Sequence, residues 1–493
     1  MSRLVAVALL GTLMFAYGCG GGSSGSAAIV LQSITISPAS QTINLGQTQA
    51  YNAQCGFSNG PGVCPALAWD SSSPNVATIS SGGLATASNS NTGSTTISAS
   101  AMGVSSNNAS LTVQSGGAVQ NSVPLIVDAG PAGLLLRSAN VAFASVTVCV
   151  PGTNNCQTID HVDVDTGSYG LRILQSALTL PLAQEGNLVE CAQFVSFFTW
   201  GPVMMADVKM GGEVASNVPI QVIGEANTGF PSIPTACQNS SPGGSADTLQ
   251  TLGANGLLGV GSFIQDCGPA CAASATPGFY YLCLTATTCA GTLVPLAQQV
   301  ANPVAMFASD NNGVLIQLQA IASDSGQPTA AGTMFFGIET QSNNALGSAT
   351  IFHVDQFGDF TTVYNGQSYP GSFLDSGSNG IFFLTTALTG MLDCGGANAG
   401  WYCPATTTSF TTITQGTTGT SESVSFKAAN VNQLPGANNA FNDLTGSNPS
   451  CFVSSTTTAP CFDWGLPFFF GRNVFTAIEG RPTLAGPGPY WAY

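Results

Sequence analysis

The chain has 493 residues, 23 Asp and Glu against seven Lys and Arg, and a formal net charge of −16. This excess of negative charge argues against nucleic acid or an anionic membrane surface as a partner. Only 6% of the residues are charged, and no long helical period follows the first residues. The sequence therefore predicts an all-β protein, long enough for two or three domains.

Residues 1–18 have the pattern of an export signal, with Arg3 followed by an apolar stretch at 4–17 that is short for a membrane span. Cys19 comes next, and a Gly/Ser-rich segment continues to residue 30 as a flexible tether. This arrangement resembles a bacterial lipoprotein signal, and the resemblance implies a lipid on Cys19. Plain secretion is the alternative. In both cases we expect an exported protein. With the lipid, it would lie in the bacterial cell envelope, in the outer membrane or at the surface, and would contact a membrane only through its amino-terminal anchor.

Residues 31–114 form a unit of short alternating strands separated by Gly, Asn and Ser, which predicts a β-sandwich. The unit resembles the group 2 bacterial immunoglobulin-like domain, most clearly in Leu-Gly-Gln-Thr at 45–48 and Ser-Ser-Gly-Gly-Leu-Ala-Thr at 80–86. The resemblance implies a spacer or adhesive module outside the cytoplasm. Residues 115–120 are the expected linker to the rest of the chain.

Two short motifs mark the remaining part, residues 121–493. Val-Asp-Thr-Gly-Ser stands at 164–168 and Leu-Asp-Ser-Gly-Ser at 374–378, so Asp165 and Asp375 each end a β-rich run. One carboxyl group cannot act as acid and base at once, whereas two that share a proton can. The repetition predicts two lobes facing each other across a cleft.

The repeat extends beyond the two motifs. A hairpin is expected before each Asp, and an element of two apolar residues and a Gly is expected after each. The hairpins have their strands at 141–150 and 157–164 and at 360–364 and 367–374, and the apolar elements lie at 256–259 and 468–471.

With these landmarks in this order, residues 121–493 resemble the pepsin-like aspartic peptidases. They also resemble a family of bacterial exported proteins known only as a domain of unknown function. The first resemblance implies a bilobal double β-barrel, with one lobe at about 121–330 and the other at about 331–493. It also implies a crossing strand between the lobes near 332–338 and a substrate-covering hairpin at 197–212.

The resemblance assigns roles to individual residues. Asp165 and Asp375 would hold one water and act as the catalytic pair. Six neighbours would fix the pair by tight turns and hydrogen bonds, namely Thr166, Gly167, Ser168, Ser376, Gly377 and Ser378. Trp200 and Gly201 would belong to the hairpin that covers the substrate. The implied function is that of an acid endopeptidase, a monomer that acts on polypeptides and needs no cofactor and no metal.

Several residues leave alternatives open. Arg172 stands where the pepsin-like enzymes have an apolar or aromatic residue, and Asp163 shares a strand face with Asp165. A binding or adhesion protein that kept the fold without the activity is therefore the rival interpretation. Asp160, Asp163 and Asp165 alternate along one strand and could bind calcium, although we expect the outer two to be solvated. His161 is expected to be a surface residue of that strand.

The cysteines indicate an oxidising compartment. Fifteen are present, and without Cys19 an even number of fourteen remains. Four close pairs are expected from their spacing, namely 55 with 64, 149 with 156, 394 with 403 and 451 with 461, and a fifth pair, 191 with 237, could account for two more. The pairing among Cys267, Cys271, Cys283 and Cys289 is left open by the sequence.

Overall fold

The computed structural model describes residues 29–44, 48–88, 91–114, 121–224, 229–276, 278–447, 451–452 and 458–493. The chain divides into two compact units, one ending at Gln120 and the other running from Asn121 to Tyr493. The expected signal segment, Cys19, the tether up to residue 28 and the linker at 115–120 lie outside the described residues. No helix in the described ranges is long and apolar enough to cross a membrane.

The first unit consists of short strands in three sheets. They are β1 Leu31–Ser37, β2 Ser40–Asn44, β3 Thr48–Ala50, β4 Asn52–Phe57, β5 Gly60–Gly62, β6 Ala68–Ser71, β7 Ala77–Ile79, β8 Leu84–Ala87, β9 Gly93–Ala101, β10 Val104–Ser105 and β11 Ala109–Gln114. The sheets run β1-β4-β5, β10-β9-β11-β2 and β3-β8-β7, with β6 paired to β9. Ile97, Leu111 and Val113 are buried while their strand neighbours face outward, which is the alternation of the expected sandwich.

The second unit is also mostly strands. They are β12 Ser122–Val127, β13 Ala142–Cys149, β14 Cys156–Asp165, β15 Tyr169–Leu174, β16 Ala183–Gln193, β17 Phe198–Met210, β18 Glu213–Ile223, β19 Gly256–Val260, β20 Tyr280–Thr285, β21 Thr288–Gly291, β22 Gly313–Leu318, β23 Ala330–Phe336, β24 Ile351–His353, β25 Phe360–Tyr364, β26 Gln367–Leu374, β27 Ile381–Phe383, β28 Thr408–Gln415, β29 Ser421–Ala428, β30 Thr445–Ser447, β31 Cys451–Phe452, β32 Thr458–Ala459, β33 Asp463–Trp464, β34 Asn473–Ala477, β35 Pro482–Thr483, β36 Gly486–Pro487 and β37 Tyr490–Ala492. The α-helices are single turns, α1 Thr235–Gln238, α2 Leu249–Leu252, α3 Pro269–Ala273 and α4 Thr386–Thr389. The 3₁₀-helices are Gln175–Ala177, Leu296–Gln298, Pro303–Met306, Gly396–Asn398, Val431–Gln433 and Leu466–Phe468.

Two large sheets organise the second unit. The longer runs β21-β20-β16-β17-β18-β15-β19-β14-β13-β12-β23-β22-β34-β37-β24, and the other runs β29-β28-β25-β26-β33-β27-β30. Strand β12 lies between β13 of the first lobe and β23, so the first lobe continues into the crossing strands by main-chain hydrogen bonds. The expected lobe boundary, after residue 330, falls at the start of β23.

Each Asp motif stands in the same arrangement of three strands. In the first lobe β14, which ends at Asp165, runs parallel to β19, and β19 runs antiparallel to β15. In the second lobe β26, which ends just before Asp375, runs parallel to β33, and β33 runs antiparallel to β27. The internal repeat is therefore structural, and the all-β class with a bilobal second unit is confirmed.

One landmark of the repeat was placed wrongly. The sequence analysis matched residues 468–471 to 256–259, but Leu466–Phe468 is a 3₁₀-helix. The true counterpart of the second-lobe element is β33, whose Trp464 carbonyl accepts a hydrogen bond from the Asp375 N–H at 3.0 Å. The three aromatic residues at 468–470 gave the stronger apolar signal, whereas Asp463 interrupts the apolar run that forms the strand.

The hairpins and disulfides agree with the sequence. Strands β25 and β26 have the expected bounds, and their turn has Asn365 and Gly366 at φ values of 50° and 75°, which suits Asn-Gly. The five expected disulfides are confirmed. The open group resolves into bonds from Cys267 to Cys271 and from Cys283 to Cys289.

Candidate functional site

The two Asp turns meet between the lobes. Asp165 and Asp375 are 1% and 0% exposed. A Cβ atom on Gly167 would lie 2.6 Å from the Asp375 Cγ, and one on Gly377 would lie 2.7 Å from the Asp165 Cγ. Each glycine therefore packs against the carboxyl group of the opposite lobe, and its missing side chain is what allows the two turns to come this close.

We expect Gly377→Ala to destabilise the second unit. The added methyl group collides with the Asp165 carboxyl, and the turns must separate to accept it, at a cost of about 1–3 kcal/mol. Urea denaturation of the full chain measures this cost. Gly291→Ala is the matched control, because its Cβ would meet nothing closer than 3.8 Å. An equal loss in the two variants would contradict the close approach.

Thr166 and Ser376 join the two turns by reciprocal hydrogen bonds. The Thr166 N–H donates to the Ser376 Oγ at 3.1 Å, and the Ser376 N–H donates to the Thr166 Oγ1 at 2.9 Å. Each hydroxyl also donates into the opposite lobe, Ser376 to the Val164 carbonyl at 2.6 Å and Thr166 to the Leu374 carbonyl at 3.3 Å. Four hydrogen bonds thus hold the separation of the two carboxyl groups.

Each carboxyl group is also held by its own turn. Asp165 Oδ1 accepts from the N–H groups of Gly167 at 2.7 Å and Ser168 at 3.1 Å, and the Ser168 hydroxyl donates to Oδ2. Asp375 Oδ1 accepts from the Gly377 N–H at 2.9 Å, and the Ser378 hydroxyl lies 2.8 Å from Oδ2. These donors fix the orientation of both side chains.

Burial raises the pKa values of both carboxyl groups, but the two surroundings differ. For Asp165, hydrogen bonds, led by that of Ser168, and the charge of Arg172 work against the effect of burial. For Asp375, burial, Asp165 and Asp463 all act in the same direction, so its pKa lies well above the ordinary value. Two such close carboxyl groups cannot both ionise cheaply, so the pair favours keeping one proton.

Two further carboxyl groups flank this pair. Asp163 is 6% exposed, and burial followed by Asp165 raises its pKa well above the ordinary value. The prediction that Asp163 is solvated was therefore wrong. Asp463, which the sequence analysis did not select, is 0% exposed on β33 with its Oδ2 2.8 Å from the Ser378 Oγ. The spacing of the repeat could have identified Asp463. Gly465 follows Asp375 by 465 − 375 = 90 residues, which is close to the 94 residues from Asp165 to Gly259, and Asp463 lies just before Gly465.

Arg172 belongs to a buried ion cluster that is separate from the Asp165–Asp375 pair. Its guanidinium is 2% exposed and donates to Glu190 at 2.6 Å, to Asp266 at 3.0 Å and to the Tyr169 carbonyl at 2.8 Å. Tyr280 donates to the other oxygen of Asp266 at 2.7 Å. Two buried carboxylates thus face this one buried cation, and for Asp165 the charge of Arg172 is a minor influence.

The structure places Trp200 and Gly201 on the second strand of the hairpin formed by β16 and β17. Both lie inside β17, opposite Cys191 and Glu190 of β16, and away from the turn of the hairpin. The Trp200 ring is 3% exposed, packs edge-on against Tyr281 at 5.4 Å, and donates from Nε1 to the Phe230 carbonyl at 2.9 Å. Trp200 is therefore a core residue of the first lobe in this structure.

The turn of that hairpin is formed by residues 194–197. Phe194 and Phe197 stack at 4.6 Å, and both are buried with Ala246 and Leu257. Leu257 pairs in register with Asp163 on β14, so this aromatic pair reaches the strands that carry the first Asp motif. Trp200 was selected from the resemblance to the pepsin-like enzymes and not from a local signal in the sequence.

The remaining candidates do not join the site. His161 has φ 47° at a bulge of β14 and contacts Asp160 at 3.1 Å and Asp128 at 3.3 Å. Asp160 is 69% exposed, so it does not converge with the buried Asp163 and Asp165 as a calcium site requires. In the ranges that the structure describes, no three His, Cys, Asp or Glu side chains are grouped to hold a metal ion.

Fold and site together define a bilobal β-protein that brings two Asp turns face to face. The chain belongs to the family described as "Protein of unknown function (DUF3443)", which matches residues 117–493. Residues 30–113 match the bacterial Ig-like domain of group 2, as expected. A crystal structure of an aspartic proteinase from Irpex lacteus is similar at 12% identity and a TM-score of 0.41, covering 75% of this chain and 96% of that one. No curated protein matches. The disulfides and the Ig-like domain indicate an exported protein.

Proposed function

We propose that residues 121–493 form an aspartic-type endopeptidase that hydrolyses peptide bonds with a water held between Asp165 and Asp375. The observation that supports this most strongly is the close packing of each turn's glycine against the opposite carboxyl group. The contact brings two buried carboxyl groups close together. Burying both costs free energy, and a protein that needed only the fold would gain nothing from it.

The difference between the two acids supports the following assignment of their roles. Asp165, with three hydrogen-bond donors, is the ionised base, and Asp375 is the acid. As water attacks the carbonyl carbon, Asp165 takes a proton from it and Asp375 gives its proton to the carbonyl oxygen. When the C–N bond breaks, Asp165 protonates the leaving nitrogen and Asp375 recovers a proton from the diol. Both acids return to their first states.

The proposed substrate is a polypeptide that binds in an extended conformation. The protein is proposed to act as a monomer. Main-chain hydrogen bonds to strand edges near the turns would hold such a segment irrespective of its side chains. No role for nucleic acid or a cofactor is part of the proposal. The rival function, a cell-surface binding or adhesion protein on the same fold, differs from it in one observable, which is peptide cleavage.

We expect the full chain to cleave a mixed peptide library, with inhibition by pepstatin and a bell-shaped dependence on pH. Activity falls on the acid side when Asp165 gains a proton and on the alkaline side when Asp375 loses its own. Because both pKa values are raised, both limbs lie above the ordinary Asp value of about 3.9. Mass spectrometry of the digests between about pH 3 and 8 measures this. A folded chain that cleaves nothing over this range supports the binding protein instead.

We also propose that Cys19 carries a lipid and tethers the protein at the bacterial cell envelope, in the outer membrane or at the surface. The support is in the sequence, where Cys19 directly follows the apolar segment and precedes the Gly/Ser tract. Metabolic labelling with a fatty acid, compared between the natural chain and Cys19→Ser, tests it. Equal labelling of the two would leave plain secretion.

A further inference from the structure

Ser378 contacts two buried carboxyl groups at once. Its hydroxyl oxygen lies 2.8 Å from Asp375 Oδ2 and 2.8 Å from Asp463 Oδ2. A hydroxyl group has one proton and donates one hydrogen bond at a time. The other contact is a hydrogen bond only if that carboxyl group is itself protonated and donates to Ser378. The geometry therefore requires that at least one proton be kept on Asp375 or Asp463.

Asp463 lies in the middle of the second-lobe sheet, fully buried. On β33 it pairs with Phe373 of β26 on one side and with Phe382 of β27 on the other. Among the described residues of these strands and of the turns that follow β26 and β33, the ionisable groups besides Asp463 are Asp375 and the phenol of Tyr369 on β26, and Asp165 lies beyond Asp375. Charge on Asp463 thus acts directly on Asp375 through a buried, poorly screened medium.

The two lobes carry their additional acid on different strands of the three-strand arrangement. In the first lobe the pair at this level is Asp163 on β14 with Leu257 on β19. In the second lobe the pair is Phe373 on β26 with Asp463 on β33, so the acid stands on the other strand. This placement brings Asp463 to the Ser378 hydroxyl, which also contacts Asp375.

We propose that Asp463 is a positioning residue which, acting through Ser378, keeps the shared proton of Asp165 and Asp375 in place to a higher pH than the pair alone. For its effect on catalysis the inference rests on the proposed function, whereas the retention of the proton does not depend on turnover. Asp463 follows burial and Asp165 among the causes that raise the pKa of Asp375.

The test is a titration of the Asp carboxyl groups by ¹³C NMR in the full chain labelled at Asp Cγ, with Asp375 assigned from Asp375→Asn. We expect the titration midpoint of Asp375 to fall by about one pH unit in Asp463→Asn. In Asp463→Asn the amide still donates to Ser378, but the charge is gone. Asp463→Leu, which copies Leu257 of the first lobe, is the second variant and shifts the midpoint in the same direction. The alkaline limb of peptide cleavage moves down with it.

Asp443→Asn is the matched control, because Asp443 is likewise buried in the second lobe and has a pKa of about 7. An unchanged Asp375 midpoint in both Asp463 variants, or an equal shift in Asp443→Asn, overturns the inference whether or not the chain cleaves peptides. A lowered midpoint in a chain that cleaves nothing overturns the proposed function alone and supports the proton-retaining role of Asp463.

Discussion

We expect Asp375→Asn to lower the proposed rate of peptide cleavage by about 10³-fold, and Asp165→Asn to do the same. The amide oxygen of Asn still accepts the N–H hydrogen bonds of the turn. The four bonds between Thr166, Ser376 and the opposite strands do not involve the carboxyl group and remain. What is lost is the exchange of protons, because an amide neither takes the proton of water nor supplies one to the carbonyl oxygen. The measurement is kcat/KM on a peptide identified from the library digests.

The control for this prediction is Asp443→Asn, which removes a buried carboxyl group of the same lobe outside the site. It keeps kcat/KM within a factor of about two, since no step of the reaction uses Asp443. Full activity in either dyad variant would contradict the assignment of Asp165 and Asp375. Loss in all three variants would indicate a general effect on the fold.

Arg172→Met has the largest expected effect on stability, a loss of about 3–5 kcal/mol at neutral pH. The substitution keeps most of the side-chain volume but leaves Glu190 and Asp266 buried without their cation. Burial already raises the pKa of Glu190 well above its ordinary value, and Arg172 counteracts this. Without Arg172, holding Glu190 ionised in the folded state costs more than in the natural chain.

The loss of stability in Arg172→Met depends on pH. A carboxyl group whose pKa is raised by folding destabilises the protein as the pH rises through that range. The difference in stability between Arg172→Met and the natural chain therefore opens as the pH rises above the folded-state pKa of Glu190 in the natural chain, and it is widest above the still higher pKa of Glu190 in the variant. At lower pH, where Glu190 is protonated in both folded chains, the difference is smallest. Urea denaturation followed by Trp fluorescence measures it, since four of the five Trp residues belong to the second unit. The exposed Arg137→Met is the control, and an equal loss there would contradict the role of the buried cluster.

Local sequence signals were enough to predict the turns of the site. A β-rich run that ends in Asp and is followed by a hydroxyl residue, Gly and Ser has few alternatives to a tight turn. Asn365-Gly366 likewise fixed the second hairpin. These features lie within a few residues of one another, so their geometry depends little on the rest of the chain.

The environment of the site depended on distant residues and was not predictable in the same way. Asp463 stands 88 residues after Asp375, and an Asp between Phe462 and Trp464 looks like a break in a strand unless its partners are known. Arg172 appeared incompatible with the acid pair because its ion-pair partners, Glu190 and Asp266, could not be predicted from their spacing in the sequence. Trp200 appeared accessible because nothing local shows that Tyr281 and the Phe230 carbonyl cover it.

The order of the disulfides bears on how this protein is made. From Cys55 onward, every cysteine is bonded to its immediate neighbour in the cysteine order, and the widest separation is the 46 residues between Cys191 and Cys237. A chain delivered amino end first into an oxidising compartment presents each partner just after the previous one. An oxidant that simply joins successive thiols as they emerge reaches the native set, and no isomerase is needed to reshuffle wrong pairs.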